Sequence, residues 1–205
     1  MKKSIVYAAI ALAMVLFLCG IIYAQNNKIK EQKMTNTANL NEQKIYKAPA
    51  GTRVGHIHLK VSDIEKALGF YRDVLGFEVT QRYGTEAVFL SAGGYHHHIG
   101  LNTWHSKNAP KVPTEGTGMY HAAFLYPERK DLALIYKQLR DKNYPLVGAA
   151  DHGVSEALYL NDPDGNGIEL YWDKPREKWP INPDGSLEMY TKHLDLNDLL
   201  KELGQ

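Results

Sequence analysis

Two histidines and one glutamate sit in the sequence where a metal ion could gather them. His56 opens the segment His-Ile-His-Leu-Lys-Val-Ser-Asp63, and His121 opens a matching segment, His-Ala-Ala-Phe-Leu-Tyr-Pro-Glu128. The same offset lays Tyr71 on Tyr136 and Val74 on Leu139; further on, Thr85–Leu90 matches Ser155–Leu160, and Ile99-Gly100-Leu101 matches Ile168-Glu169-Leu170. The offset changes only where loops would fall, so the chain reads as two copies of one supersecondary unit. Side chains alternate along a strand, which puts His56 and His121 on equivalent faces and turns Glu169 away from Ile168 and Leu170. A carboxylate in so apolar a strand is costly unless it is paired or metal-bound. Two imidazoles and one carboxylate form a facial set that leaves coordination positions open and suits Fe(II), with Mn(II) or Zn(II) as alternatives. Gly100, the counterpart of Glu169, cannot ligate. Unless His98 takes its place, the set has three ligands and not four, as in a catalytic rather than a structural site.

Each copy reads as a strand, a helix and three strands. Val54–Val61 alternates as a strand, and Ser62-Asp-Ile-Glu65 reads as a capping box at a helix start. Ala67, Leu68, Phe70, Tyr71, Val74 and Leu75 then form an apolar face that Gly76 closes. Strands are expected at Phe77–Tyr83, Glu86–Ser91 and His96–Thr103, with a turn at Gly93-Gly94. In the second copy the helix spans Arg129–Asp141, strands fall near Val147, Ser155–Leu160 and Gly167–Trp172, and Asp162-Pro-Asp-Gly-Asn166 is a turn. The expected class is α+β, with two βαβββ modules forming a cupped mixed sheet around a cavity. The modules are expected at 53–105 and 117–175 of a domain covering 53–175, with a C-terminal extension over 176–205.

The 205 residues carry a net charge of +1 with scattered lysines, which excludes a dedicated nucleic-acid binder. The lone cysteine, Cys19, lies in the N-terminal apolar run, so the domain has no thiolate site or disulfide. Met1-Lys2-Lys3 followed by the apolar run Ile5–Ala24 reads as a signal peptide or N-terminal membrane anchor over 1–24. Lys2 and Lys3 would stay inside, leaving the domain exported or anchored outside the cytoplasm, with the membrane as a partner if the segment is uncleaved. Residues 25–52, rich in Asn, Gln and Lys, read as a flexible tether.

With these motifs in place, the sequence resembles the vicinal oxygen chelate superfamily of glyoxalases, bleomycin-resistance proteins and extradiol dioxygenases. His56 with Ser62-Asp63 and Phe70-Tyr-Arg-Asp-Val-Leu-Gly76 is similar to its first unit, and Asp162-Pro-Asp-Gly-Asn-Gly-Ile-Glu169-Leu-Tyr171 to its last. Tyr95-His-His-His-Ile-Gly-Leu-Asn-Thr-Trp104 and Lys174-Pro-Arg-Glu-Lys-Trp-Pro180 with Leu187-Glu-Met189 resemble the catechol 2,3-dioxygenase-like branch. The resemblance implies that His152 contacts substrate or oxygen, that Tyr159 hydrogen-bonds a substrate oxygen, and that His98 or His105 is the acid/base. It implies a metal-dependent ring-cleaving dioxygenase acting on a small aromatic diol or other vicinal-oxygen ligand. The paired units come either from one chain or from two, which leaves a homodimer open. The alternatives are a glyoxalase I-like lyase and a non-enzymatic envelope ligand-binding protein of the same fold.

Overall fold

The computed structural model describes residues 22–32, 46–111, 113 and 115–204. Contacts divide the chain after Thr52, and the unit Arg53–Gln205 carries every strand among the described residues. Its first module runs β1 (Ile57–Lys60), α1 (Ile64–Tyr71), β2 (Glu78–Tyr83), β3 (Ala87–Ser91) and β4 (Ile99–Asn102). The second runs β5 (Ala122–Leu125), α2 (Arg129–Asp141), β6 (Gly148–Asp151), β7 (Ser155–Asn161) and β8 (Gly167–Asp173). The α+β class and the paired βαβββ plan are those the sequence predicts.

The sheets are mixed, in the orders β1-β4-β3-β2 and β5-β8-β7-β6-β9, where β9 is Lys192–His193. Both parallel pairs keep the register of the repeat. Ile57 faces Ile99 and His58 faces Gly100 in β1–β4, while Ala122 faces Ile168 and Ala123 faces Glu169 in β5–β8. One face of each sheet is covered by helix: α1 lies on β3 and β4, and α2 on β8. Leu59, Val88, Leu90, Ile99 and Leu101 fill that side in the first module; Leu158, Leu160, Ile168 and Leu170 fill it in the second. The alternate residues, His58 and Phe89 in one sheet and Tyr159 and Glu169 in the other, point to the opposite, open face.

The modules are latched together on the helix side. Asp162 accepts the amides of Asp164 and Asn166 on one carboxylate oxygen and the Tyr71 phenol, at 2.9 Å, on the other. Asp164 accepts the Ser62 amide and hydroxyl at 2.7 and 2.6 Å and pairs with Lys66 at 3.1 Å. Ring contacts of Phe70 with Tyr144 and of Phe77 with Phe124 complete this joint. The latch changes the capping box. Ser62 is engaged across the joint, so Asp63 is the N-cap and accepts the Lys66 amide at 2.8 Å.

The segment 176–205 adds structure to the second module. β9 pairs antiparallel with β6, and α3 (Leu196–Leu200) buries Leu199 and Leu200 beside α2. Arg129 ties this addition down through ion pairs to Glu156, Asp198 and Glu202 at 2.7, 3.0 and 2.9 Å.

The N-terminal expectations need correction. A signal peptide or membrane anchor, a membrane partner and a domain held outside the cytoplasm all rested on the apolar run Ile5–Ala24 behind a short basic start. Among the described residues no helix is long and apolar enough to cross a membrane. Residues 22–32 are helical and exposed, contain Lys28, Lys30 and Glu31, and extend about 16 Å, roughly half a hydrocarbon core. The apolar stretch 5–21, including Cys19, lies outside the described residues, as does 33–45 of the expected tether.

Candidate metal and substrate site

On the open face of the second sheet four polar side chains form one hydrogen-bonded line. His121 Nε2 lies 2.8 Å from Glu169 Oε2. The Tyr159 hydroxyl donates to Glu169 Oε1 at 3.0 Å, and His152 Nε2 lies 2.7 Å from that hydroxyl. Each residue is placed by a local feature. Glu169 and Tyr159 are directly opposed across the antiparallel β7–β8 pair. His121 immediately precedes β5, and Gly167 lets it come close: a Cβ there would stand 2.2 Å from the Tyr120 carbonyl oxygen and 3.2 Å from the His121 Cβ. His152 sits in the loop between β6 and β7, its Nδ1 3.1 Å from the Tyr190 carbonyl oxygen and 3.2 Å from the Thr191 hydroxyl, both in the C-terminal addition.

This line constrains its protons. Tyr159 has one hydroxyl hydrogen, and when it donates to Glu169 the His152 Nε2 must carry a hydrogen to donate in turn. Burial first, and then the Glu169 charge, push the Tyr159 phenol well above its usual value. Tyr159 is therefore a donor held in its protonated form across the neutral range, not a base. The imidazole and carboxylate of His121 and Glu169, at hydrogen-bond distance on an open face, suit two positions around a divalent cation.

His56 lies on the other sheet. Its ring is 4.5 Å from that of His97, which also meets Phe89 at 5.0 Å. His58 shares this face, between Phe89 at 5.7 Å and Trp104 at 5.6 Å. Its imidazole covers Gly100, where an added Cβ would come within 2.9 Å of the ring. Burial, followed by the neighbouring His56, lowers the His58 pKa; burial, then His56 and the other histidines, lowers that of His97. Both rings are thus favoured in the neutral form that ligates or accepts a proton.

The structure gathers the sequence-predicted residues into two groups. His121, Glu169, Tyr159 and His152 are together; His56 is apart from them. Among the described residues no group of three or more His, Cys, Asp or Glu side chains is close enough to hold a metal ion. Two of the three expected ligands therefore fit a metal within one chain, and the third does not reach them. His98 is turned aside, its Nδ1 3.1 Å from the Ser91 hydroxyl and 3.3 Å from the Ala92 amide. His105 is exposed in the turn after β4. Of the run His96–His98, it is His97 whose ring lies against His56. β4 begins only at Ile99, so the strand alternation that pointed to His98 does not extend to the preceding bend. The Tyr95-His-His-His run was the available signal, and its phase was not.

Residues 53–170 match the model of the Glyoxalase/Bleomycin resistance protein/Dioxygenase superfamily. The chain belongs to this superfamily. Among its relatives is a catechol-2,3-dioxygenase of Bacillus subtilis, 38% identical over 154 residues, covering 75% of this chain and 53% of that protein. A biphenyl-2,3-diol 1,2-dioxygenase of Rhodococcus globerulus is 35% identical over 122 residues, 59% of this chain and 63% of the relative. The chain thus spans between half and two thirds of the length of these two dioxygenases. A glyoxalase/dioxygenase structure from Nostoc punctiforme superposes with a TM-score of 0.50 at 20% identity, over 64% of this chain and 98% of that one, and shares the superfamily fold.

Proposed function

We propose that this superfamily member is a metal-dependent extradiol-type dioxygenase that cleaves the ring of a small vicinal diol. The observation that carries this reading is the line His152–Tyr159–Glu169–His121, a histidine and a tyrosine leading to a carboxylate–imidazole pair on an open sheet face. The named dioxygenase relatives support it. Fe(II) is the proposed metal, with Mn(II) or Zn(II) as alternatives, and His56, His121 and Glu169 its proposed ligands. Tyr159 donates a hydrogen bond to a substrate oxygen, and His152, braced by Tyr190 and Thr191, fixes the orientation of that phenol. The acid/base role expected of His98 or His105 passes in this proposal to His97, whose ring lies against His56 while His98 is committed to Ser91. Diol and dioxygen are consumed one to one, with both oxygen atoms retained in the opened product and no external reductant.

The full-length chain, purified without oxygen and loaded with Fe(II), should hold metal and take up oxygen on addition of catechol. His121→Ala and Glu169→Ala should each abolish metal retention, measured by elemental analysis. Metal without uptake across a panel of diols would move the reading to a lyase or a binding protein. Unchanged metal content in both variants would refute the ligand assignment.

A further inference from the structure

The turn that presents His152 joins β6 to β7, and it is held from within and from the C-terminal addition. The His152 amide donates to the Ser155 carbonyl at 2.8 Å. Asp151 accepts the Gly153 amide at 2.8 Å, and its carboxylate also receives the Lys174 ammonium at 2.6 Å. Lys174 follows β8 and reaches Asp151 past the start of β7, where its own amide donates to the Val154 carbonyl at 2.8 Å. Gly153 has a φ of +81°, a conformation that favours glycine. Pro180 and the Tyr190 ring lie against it, and a Cβ there would stand 2.9 Å from one and 2.7 Å from the other. The Tyr190 amide donates back to the His152 carbonyl at 3.3 Å, and β9 then pairs with β6. The Lys192 ammonium lies 4.2 Å over the Tyr190 ring, so these two share a face and Thr191 between them points the other way, toward His152. The imidazole is thus fixed in place by its backbone before its protons are considered.

The two ring nitrogens face partners of different kinds. Nε2 lies 2.7 Å from the Tyr159 hydroxyl, which gives its one hydrogen to Glu169 and has only lone pairs left for His152. Nδ1 lies 3.1 Å from the Tyr190 carbonyl oxygen and 3.2 Å from the Thr191 hydroxyl. A carbonyl oxygen only accepts, whereas a hydroxyl also donates. In the neutral ring, Tyr190 alone would draw the hydrogen to Nδ1. Nε2 would then be bare, and the Tyr159 hydrogen would turn to it and away from Glu169. The hydrogen stays on Nε2 when Nδ1 instead receives one, and the Thr191 hydroxyl is placed to give it. The Tyr159–Glu169 bond decides between the two arrangements. A hydrogen bond to a carboxylate is roughly twice as strong as one between neutral groups, so the arrangement that keeps it is favoured.

We propose that Thr191 is a positioning residue of this site: its hydroxyl donates to His152 Nδ1, keeps the ring hydrogen on Nε2, and so directs the Tyr159 hydrogen toward Glu169 and, in the complex, toward the substrate oxygen. Three hydrogen bonds then run in one direction, from Thr191 to His152, from His152 to Tyr159 and from Tyr159 onward, and each polarises the next. The C-terminal addition is on this account part of the site, because it supplies the group that sets the direction of the line. In the imidazolium both nitrogens carry hydrogen and Thr191 accepts, so its choice of tautomer is exercised in the neutral ring. The role toward substrate rests on the reading of Tyr159 as the donor to a bound diol; the tautomer does not.

Nitrogen-15 NMR of the full-length, histidine-labelled chain reads the tautomer directly. Zn(II) in place of Fe(II) keeps the spectra sharp, and about pH 8.5 lies well above the ordinary histidine value of about 6.5. His152→Ala identifies the resonances. The wild type should carry the hydrogen on Nε2, Thr191→Val should carry it on Nδ1, and Thr191→Ser should restore the wild-type pattern. Thr191 is exposed, so circular dichroism should be the same for all three. With Fe(II), Thr191→Val should lower kcat for catechol-dependent oxygen uptake by at least about tenfold at unchanged metal content, a part of the roughly 10²–10⁴ that a positioned proton donor supplies. Thr191→Ser should recover that loss. A wild-type ring with its hydrogen on Nδ1, or a tautomer that Thr191→Val does not move, overturns the assignment. A moved tautomer with unchanged kcat overturns the link from Thr191 to the substrate. A wild type that takes up no oxygen with any diol would instead overturn the dioxygenase reading, while the spectra would still decide the role of Thr191.

Discussion

In the first module the parallel pair β1–β4 places His58 beside Gly100; in the second, the equivalent pair β5–β8 places Ala123 beside Glu169. One side of each pair is small and the other projects onto the open face, but the strand that carries the large residue is exchanged. One step earlier the register sets His56 against His98 in the first module and His121 against Gly167 in the second, so there only the β8 side is small. Where His58 and Glu169 project, the duplicated backbone offers a fixed volume, and the two copies have filled it from opposite strands. The consequence is chemical. The exchange leaves the first face with imidazoles and gives the second the acidic ligand and its tyrosine.

The sharpest way to break this difference is at Gly167. Its counterpart carries a full histidine, yet here a Cβ would stand 2.2 Å from the Tyr120 carbonyl oxygen. Backbone atoms cannot swing aside as a side-chain tip can, so Gly167→Ala must push the Tyr120–His121 segment away from β8. Overpacking of this kind costs about 1–3 kcal/mol. Urea unfolding should show a loss at the upper end of that range, together with weakened metal retention because His121 moves from Glu169. A stable variant with wild-type metal content would show that the approach of these strands does not set the pair.

A smaller effect is expected at the joint that holds the two modules in their present relation. Burial raises the Asp164 pKa, but hydrogen bonds from Ser62 and the Lys66 ammonium outweigh it and hold the carboxyl below its usual 3.8. A carboxyl depressed in the folded state contributes stability that is fully present above the unfolded value, and this is lost as pH falls through the folded value. Asp164→Asn should therefore lose about 1–2 kcal/mol at pH 7 through its weakened bonds to Ser62 and Lys66. Its stability should also vary less with pH below 3.8 than that of the wild type. Parallel acid-unfolding curves for the two proteins would remove Asp164 from the latch.

Much of this arrangement was legible in the sequence because the repeat supplies a register. It aligned Ile99 with Ile168 before any strand was located, and the observed pairs keep that alignment. Alternation turned Glu169 away from Ile168 and Leu170, the family resemblance pointed to Tyr159, and these two residues hydrogen-bond as neighbours. What the repeat could not supply is the relation between modules. That depends on Ser62 choosing Asp164 over its own helix and on Tyr71 reaching Asp162, contacts between residues far apart in the chain. Periodicity also ends where strands end, so it gives no phase for the histidines in the bend before Ile99. The fifth strand of the second sheet, Lys192–His193, is too short to carry an alternation signal at all.

The smallest predicted effect isolates the exchange itself. An alanine at Gly100 would bring its Cβ within 2.9 Å of the His58 ring, a contact with a side chain that is free to move toward solvent. Gly100→Ala should therefore cost under about 1 kcal/mol, and His58→Ala should cost little by itself. The informative quantity is their coupling. If the imidazole fills the volume above Gly100 as the carboxylate stem of Glu169 fills its own, then Gly100→Ala/His58→Ala restores the small-against-small pairing. Its stability should exceed the sum of the single losses by about 0.5 kcal/mol or more, read from urea midpoints in a double-mutant cycle. Strict additivity would mean that the ring rests over Gly100 without depending on the space, and that the two modules differ by separate substitutions rather than by a compensated exchange.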